Sequence, residues 1–197
     1  MGAATPGVKL TKEQIDGDKE LEKGKVSPYR AVAARGNYLG SDRPETQFAA
    51  KETCRWMAGP MESSLNVLKR LGRFIAGHRR LAYWYPWQTV ARIDTYSDTD
   101  WAGCPRTRKS TSGGCVVLGS HLVKSWSSTQ TSVSLSSVES EFYGVVKAGG
   151  VSLGYQALLR DLGIDLDARV STDSSTTMGI CGRQGLGRFR HIDTQCL

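Results

Sequence analysis

The run Tyr96-Ser97-Asp98-Thr99-Asp100-Trp101-Ala102-Gly103 constrains this chain more than any other. Its first half is β-prone, and its second half carries carboxylates up to the point where a turn must begin. A carboxylate taken out of water is costly unless a cation or hydrogen-bond donors meet it. A strand that ends in acids therefore points to a site at its tip. Alternation puts Asp98 and Asp100 on the same side, so either can face that site.

The flanking pattern sets the fold class. Arg92 to Asp98 reads as a strand, followed by a loop of turn formers and cations, Gly103-Cys104-Pro105-Arg106-Thr107-Arg108-Lys109-Ser110. Two further strand signals, 112–118 and 121–127, surround Gly119-Ser120 as a hairpin, which predicts a three-strand antiparallel meander. The period then switches to that of a helix. Ser136 stands as N-cap, with Glu139 three residues on as a capping box, and the helix runs toward Leu162-Gly163. Arg169 to Asp173 is a fourth strand, a short helix covers Ser174 to Cys181, and a glycine-arginine loop leads to His191-Ile192-Asp193. Strands first, then helix, strand and helix, predict a mixed α/β sheet with flanking helices and not a regular βαβ repeat.

Upstream the texture differs. Residues 1–26 are polar and aperiodic and read as a flexible leader. Residues 27–90 read as a helical segment: a helix from Pro28 to Leu39, a second opened by Asp42-Arg43-Pro44-Glu45, and a third carrying Leu65, Leu68, Leu71 and Ile75 on one face. Leu81 to Tyr85 is aromatic and strand-like up to Pro86. The α/β part occupies 91–197.

Three later acids extend the opening observation. Glu141 shares a helical stripe with Val138, Val145 and Ala148, which should face the sheet; a carboxylate there needs a partner or a metal, or else lies at the stripe's edge paired with an arginine. Glu139 is explained by capping alone. Asp173 ends a strand, though it also suits the N-cap of the next helix. Asp193 follows a basic loop and can simply pair with Arg188 or Arg190. Hydrolysis of a phosphodiester by two Mg²⁺ ions wants hard oxygen ligands that set the ions about 3.5–4 Å apart. Carboxylates converging from several elements supply them. No G-x-S-x-G elbow, P-loop or dinucleotide fingerprint offers a rival chemistry.

The net charge of +7 favours a polyanionic partner, most commonly nucleic acid. The five cysteines are scattered, with no C-x-x-C pair, and Cys181, His191 and Cys196 match no zinc spacing. With no apolar run of membrane-spanning length and no signal-peptide core, the chain reads as intracellular, cytoplasm and nucleus not distinguished.

Six motifs then occur in order: Tyr96 to Gly103, Arg108-Lys109-Ser110-Thr111-Ser112-Gly113-Gly114, Ser125-Trp126-Ser127-Ser128-Thr129-Gln130, Leu135-Ser136-Ser137-Val138-Glu139-Ser140-Glu141-Phe142, Thr172-Asp173-Ser174-Ser175 and Arg190-His191-Ile192-Asp193. Together they resemble the ribonuclease H domain of a Copia-type retrotransposon Pol polyprotein, over about residues 92–197. Tyr29-Arg30-Ala31, Asp42-Arg43-Pro44-Glu45 and the helix around Lys69-Arg70-Leu71 resemble the segment that joins the reverse transcriptase to that domain. The resemblance implies a ribonuclease H-like fold and a four-acid set in which Asp98 contacts both metal ions, Glu141 and Asp173 complete the sites, and Asp193 completes one of them. It implies Mg²⁺ as two ions, with Mn²⁺ able to substitute, an RNA–DNA hybrid as substrate, the reverse transcriptase part of the polyprotein as partner, and His191 in product release. Asp100 takes a supporting role. Arg106, Arg108, Lys109, Arg183, Arg188 and Arg190 are candidates for backbone contacts. The polymerase's own aspartate motif is absent, and Thr194 to Leu197 lie just inside what would be that domain's final helix, so the domain is expected to be truncated there. Two alternatives follow from those departures: a remnant that binds nucleic acid without cutting it, and a purely structural domain.

Overall fold

Helices packed on one another account for the described residues up to Tyr83, and a mixed sheet with its helices accounts for those from Trp84 onward. The computed structural model describes residues 3–183. In the first unit α1 (Lys12–Asp16) opens on a capping box between Thr11 and Gln14. It is followed by α2 (Lys23–Leu39), a 3-10 turn (Pro44–Thr46), α3 (Gln47–Cys54) and α4 (Glu62–Gly77). Leu21, Tyr29, Ala33, Trp56 and Leu68 form one buried cluster, and Ala49, Ala50 and Leu71 a second. Tyr29 satisfies its buried hydroxyl by donating to the Thr53 carbonyl at 2.7 Å.

Three expectations for residues 1–91 are corrected. The leader is not structureless: besides α1, Leu21 is buried and Asp18 accepts from the Ser63 N–H at 3.1 Å. Likewise α2 begins at Lys23, before Pro28, which sits inside the helix. A proline there forfeits one helical hydrogen bond, and the burial of Tyr29 and Ala33 in the next turns outweighs that loss. Residues 78–91 form no strand, and Trp84 and Trp87 are exposed.

In the second unit β1 (Arg92–Asp100), β2 (Thr111–Leu118) and β3 (His121–Thr129) form the antiparallel meander, and β4 (Asp167–Thr172) pairs with β1 in parallel. The strand order is β3-β2-β1-β4, so β1 is interior. Between β3 and β4 runs α5 (Ser137–Asp161), and α6 (Ser175–Cys181) follows β4. This four-strand mixed sheet with flanking helices is the arrangement expected of a ribonuclease H-like fold. The turn at Gly119 takes φ +59°, a left-handed conformation that favours glycine and closes the β2–β3 hairpin.

The seam between α5 and β1 differs from expectation in composition. Its buried helical stripe is Ser140, Gly144, Ala148 and Ser152, at four-residue spacing. Of the residues expected there, Ala148 is on it, while Val138 and Val145 are only half-buried and Glu141 lies on its flank. The strand offers Ile93, Thr95 and Ser97, also buried, and Thr95 donates to Ser152 across the seam at 3.1 Å. Short side chains on both elements let the backbones approach closely. A Cβ at Gly144 would come within 2.5 Å of Thr99 Cγ2 and 3.0 Å of Ser97 Oγ.

That spacing yields a stability test. Gly144→Ala must push α5 away from β1, a cost of about 1–3 kcal/mol for overpacking that outweighs the gain in helix propensity. A lowered urea midpoint is expected; an unchanged or raised midpoint would mean the seam is slack.

Candidate metal centre

Three elements deliver three carboxylates to one place. Asp98 lies two residues before the end of β1. The parallel register pairs Ser97 with Thr172, so Asp98 and Asp173 occupy the next step along the two neighbouring strands. Ligands of α/β sheets commonly gather beyond these carboxyl ends. Glu141 arrives from the start of α5, which the close seam holds against β1. One oxygen from each of Asp98, Glu141 and Asp173 lies within 4.8 Å of the other two. Among the described residues this is the one group of three or more acidic, histidine or cysteine side chains so arranged.

The three differ in surroundings. Asp98 and Asp173 are exposed, whereas Glu141 is half-buried. Thr99 donates to Glu141 Oε1 at 2.7 Å, and the other oxygen, Oε2, is buried with no hydrogen-bond partner. Burial pushes the Glu141 carboxyl up from its ordinary value, the charges of Asp173 and Asp98 push it further, and the Thr99 hydrogen bond partly opposes them. A buried acceptor without a donor, beside two more carboxylates, is a poor arrangement by itself. A divalent cation would supply the missing partner and relieve the repulsion. The donor set, all carboxylate oxygen, suits a hard ion such as Mg²⁺.

Two alternatives raised by the sequence can now be decided. Asp173 is not the cap of α6: Ser174 takes that position and accepts from the Thr177 N–H at 3.2 Å. Glu141 does not pair with an arginine among the described residues; Thr99 is its partner. Glu139 departs from an ideal capping box. Ser136 accepts from the Glu139 N–H at 3.2 Å, but Glu139 reaches one residue further back, accepting from the Leu135 N–H at 2.7 Å. Asp100 lies outside the cluster, with its carboxylate turned over Gly103. Trp101 donates to the Ser134 carbonyl at 3.2 Å.

The cations sort by element. Arg106 and Arg108 are exposed and Lys109 half-buried on the loop between β1 and β2. That loop is tied to itself: the Arg108 N–H donates to the Cys104 carbonyl at 2.8 Å, the Cys104 N–H to the Lys109 carbonyl at 3.1 Å, and Cys104 is buried. Ala102 and Arg108 adopt left-handed φ values of 52° and 59°, strain that the surrounding bonds must hold. Arg183 is exposed just after α6. Asp193, Arg188, Arg190 and His191 lie outside the described residues. The sequence reading did not single out Thr99, Ser140 or Gln130, which the structure places behind Glu141. Hydroxyl and amide side chains at the seam of a strand and a helix are the signal that could have found them.

Comparison with known proteins relates the chain to retrotransposon polyproteins. The chain is 34% identical over 139 residues to the retrovirus-related Pol polyproteins from transposons RE1 and RE2 of Arabidopsis thaliana, an alignment covering 70% of this chain and 9% and 10% of theirs. It is 33% identical over 117 residues to an uncharacterized mitochondrial protein of the same plant, 59% of this chain and 48% of that one. The chain is thus a relative of Copia-like retrotransposon Pol polyproteins. It spans about half the length of the mitochondrial relative (48%) and about a tenth of the Pol polyproteins (9% and 10%). No family model matches it, and no solved structure does. No helix among the described residues of this Pol relative is long and apolar enough to cross a membrane.

The raised Glu141 carboxyl has a consequence for stability with a definite sign. An acid whose folded pKa exceeds its unfolded value adds no penalty while both states are protonated, and destabilises the fold progressively as pH rises through the unfolded value toward the folded one. Without divalent ions, Glu141→Gln should therefore raise the urea midpoint at pH 7, and the advantage should shrink at pH 4. Gln retains an acceptor for Thr99. An advantage equal at both pH values would contradict the assigned cause.

Proposed function

We propose that this Pol-related chain is a divalent-metal-dependent endonuclease that cuts the RNA strand of an RNA–DNA hybrid. The observation that carries the reading is the convergence of Asp98, Glu141 and Asp173, one oxygen from each within 4.8 Å of the others, on a ribonuclease H-like sheet. Mg²⁺ ions bound there would activate a water and stabilise the leaving oxygen of an in-line displacement. The protein's own groups have separable roles. Asp98 and Asp173, exposed at the ends of adjacent strands, are the carboxylates a phosphate can approach from solvent, while Glu141 is held by Thr99 at the rear of the site. Asp193 completes the acidic set by motif, and His191 assists release of product.

Arg106, Arg108 and Lys109 are offered on a loop that its own hydrogen bonds hold firm, and so can grip a backbone without first being ordered. Arg183, Arg188 and Arg190 are further candidates for backbone contacts by sequence. Strand choice would come from the 2′-hydroxyl, the group that separates RNA from DNA at a given position. The partner is the reverse transcriptase part of a Pol polyprotein, which would generate the hybrid.

The test is cleavage of a labelled RNA–DNA hybrid with Mg²⁺ or Mn²⁺, comparing the chain with Asp98→Asn and Asp173→Asn. Cleavage of the RNA strand alone, lost with chelator and in both variants, is expected; equal cutting by Asp98→Asn would contradict the site. Replacing Arg106, Arg108 and Lys109 with Ala should weaken hybrid binding and flatten its salt dependence, by roughly 0.7–0.9 in log–log slope for each phosphate left without its cation. An unchanged slope would remove that loop from the interface.

A further inference from the structure

Behind Glu141 lies a run of buried polar side chains that the cleavage reading leaves unused. Gln130, one residue past β3, is only 9% exposed. Its Oε1 accepts from Ser134 Oγ at 3.0 Å, and its Nε2 donates to Ser112 Oγ at 3.0 Å and to the Ser140 carbonyl at 2.9 Å, with Ser140 Oγ at 3.4 Å. Ser140, fully buried, donates from Oγ to Thr99 Oγ1 at 3.1 Å. Thr99 in turn donates to Glu141 Oε1 at 2.7 Å. A hydroxyl has a single proton, so Thr99, having accepted from Ser140, commits its own to the carboxylate. From Ser140 onward the donors thus point toward Glu141, and each bond polarises the next. The two Nε2 protons serve three acceptors, which makes the 3.4 Å contact the weakest link and leaves the Ser140 carbonyl as Gln130's main hold.

We propose that Thr99, Ser140 and Gln130 are positioning residues of the metal site. They fix Glu141 with Oε1 occupied, so that Oε2, buried and without a partner, is the oxygen offered to the cation. The inference rests on the metal-site reading above and adds which oxygen of Glu141 serves and what aims it. Tying a helix to a sheet needs the chain only as far as Thr99. The last bond, from Thr99 to the carboxylate, sets the direction of a ligand. Outer bonds of this kind are worth about 10–100-fold in metal affinity.

The experiment is calorimetric Mn²⁺ binding to the full chain, with thermal unfolding of each variant alongside. Thr99→Val keeps the shape that packs on Gly144 and lacks the donor, whereas Thr99→Ser keeps the donor. Thr99→Val should weaken Mn²⁺ about tenfold and unfold at a somewhat lower temperature because buried Ser140 loses its acceptor, whereas Thr99→Ser should bind and unfold close to wild type. Gln130→Met should weaken binding by a smaller factor, as it acts through two intervening groups. Thr99→Val binding as tightly as wild type, or Thr99→Ser binding as weakly as Thr99→Val, would overturn the positioning role while leaving the metal site standing. No Mn²⁺ binding by the wild type, or binding undiminished in Asp98→Asn, would overturn both.

Discussion

Everything at the site depends on how closely α5 lies against β1. Near the site the contact is made by Ser140 and Gly144 on the helix and by Ser97 and Thr99 on the strand, all short side chains, and it continues through Ala148 and Ser152 opposite Thr95 and Ile93. Such a seam buries less apolar area than a leucine-rich one, and it compensates with hydrogen bonds across the gap, Thr95 to Ser152 and Ser140 to Thr99. The gain is geometric. A carboxylate on the helix, Glu141, comes within ligand distance of one on the central strand, Asp98, and the parallel pairing of β4 brings Asp173 beside them. The fold places three like charges together and leaves one oxygen without a partner, which is an unfavourable arrangement for an apo protein and a fitting one for a cation site.

The second consequence of the close seam is that two hydroxyls at its site end, Ser140 and Thr99, form a hydrogen-bonded path to Glu141. Ser140 and Thr99 both join the helix to the strand and aim Glu141. Gln130, anchored to the Ser110 carbonyl through its backbone N–H at 2.8 Å and to Ser112 through its side chain, couples that path to the far end of the β1–β2 loop. The loop bearing Arg106, Arg108 and Lys109 and the helix bearing Glu141 therefore share a support. The candidate ligand Glu141 and the cation-bearing loop are thus joined through buried polar groups.

The sequence was most informative where periodicity and turn chemistry agree. The meander, the hairpin at Gly119-Ser120, the Ser136 cap and the existence of a fourth strand all follow from local pattern, and the sheet has them. It was least informative where packing overrides pattern. The stripe of Val138, Val145 and Ala148 looked like the buried face because apolar periodicity weights bulk; the real seam selects small residues, and the valines stand at its margins. Lys23 to Ser27 fold as helix although a proline follows, since tertiary burial of Tyr29 decides there. Asp98, Glu141 and Asp173 were legible as acids in costly positions, but their convergence depends on a helix–strand distance that no single stretch encodes. Thr99 and Gln130 carried only the weak signal of polar side chains beside a strand–helix seam, because their roles arise from groups elsewhere in the chain. Asp193 stands on motif alone, outside the described residues.

The central claim is that Asp98, Glu141 and Asp173 share a divalent cation. Anomalous diffraction from crystals of the chain equilibrated with Mn²⁺ addresses it most directly. The account predicts a peak among the three carboxylates, with Glu141 Oε2 at a ligand distance of about 2.0–2.3 Å and Thr99 still donating to Oε1. A site with no peak while Mn²⁺ is found elsewhere, or a Glu141 side chain turned away from Asp98 and Asp173, would contradict it.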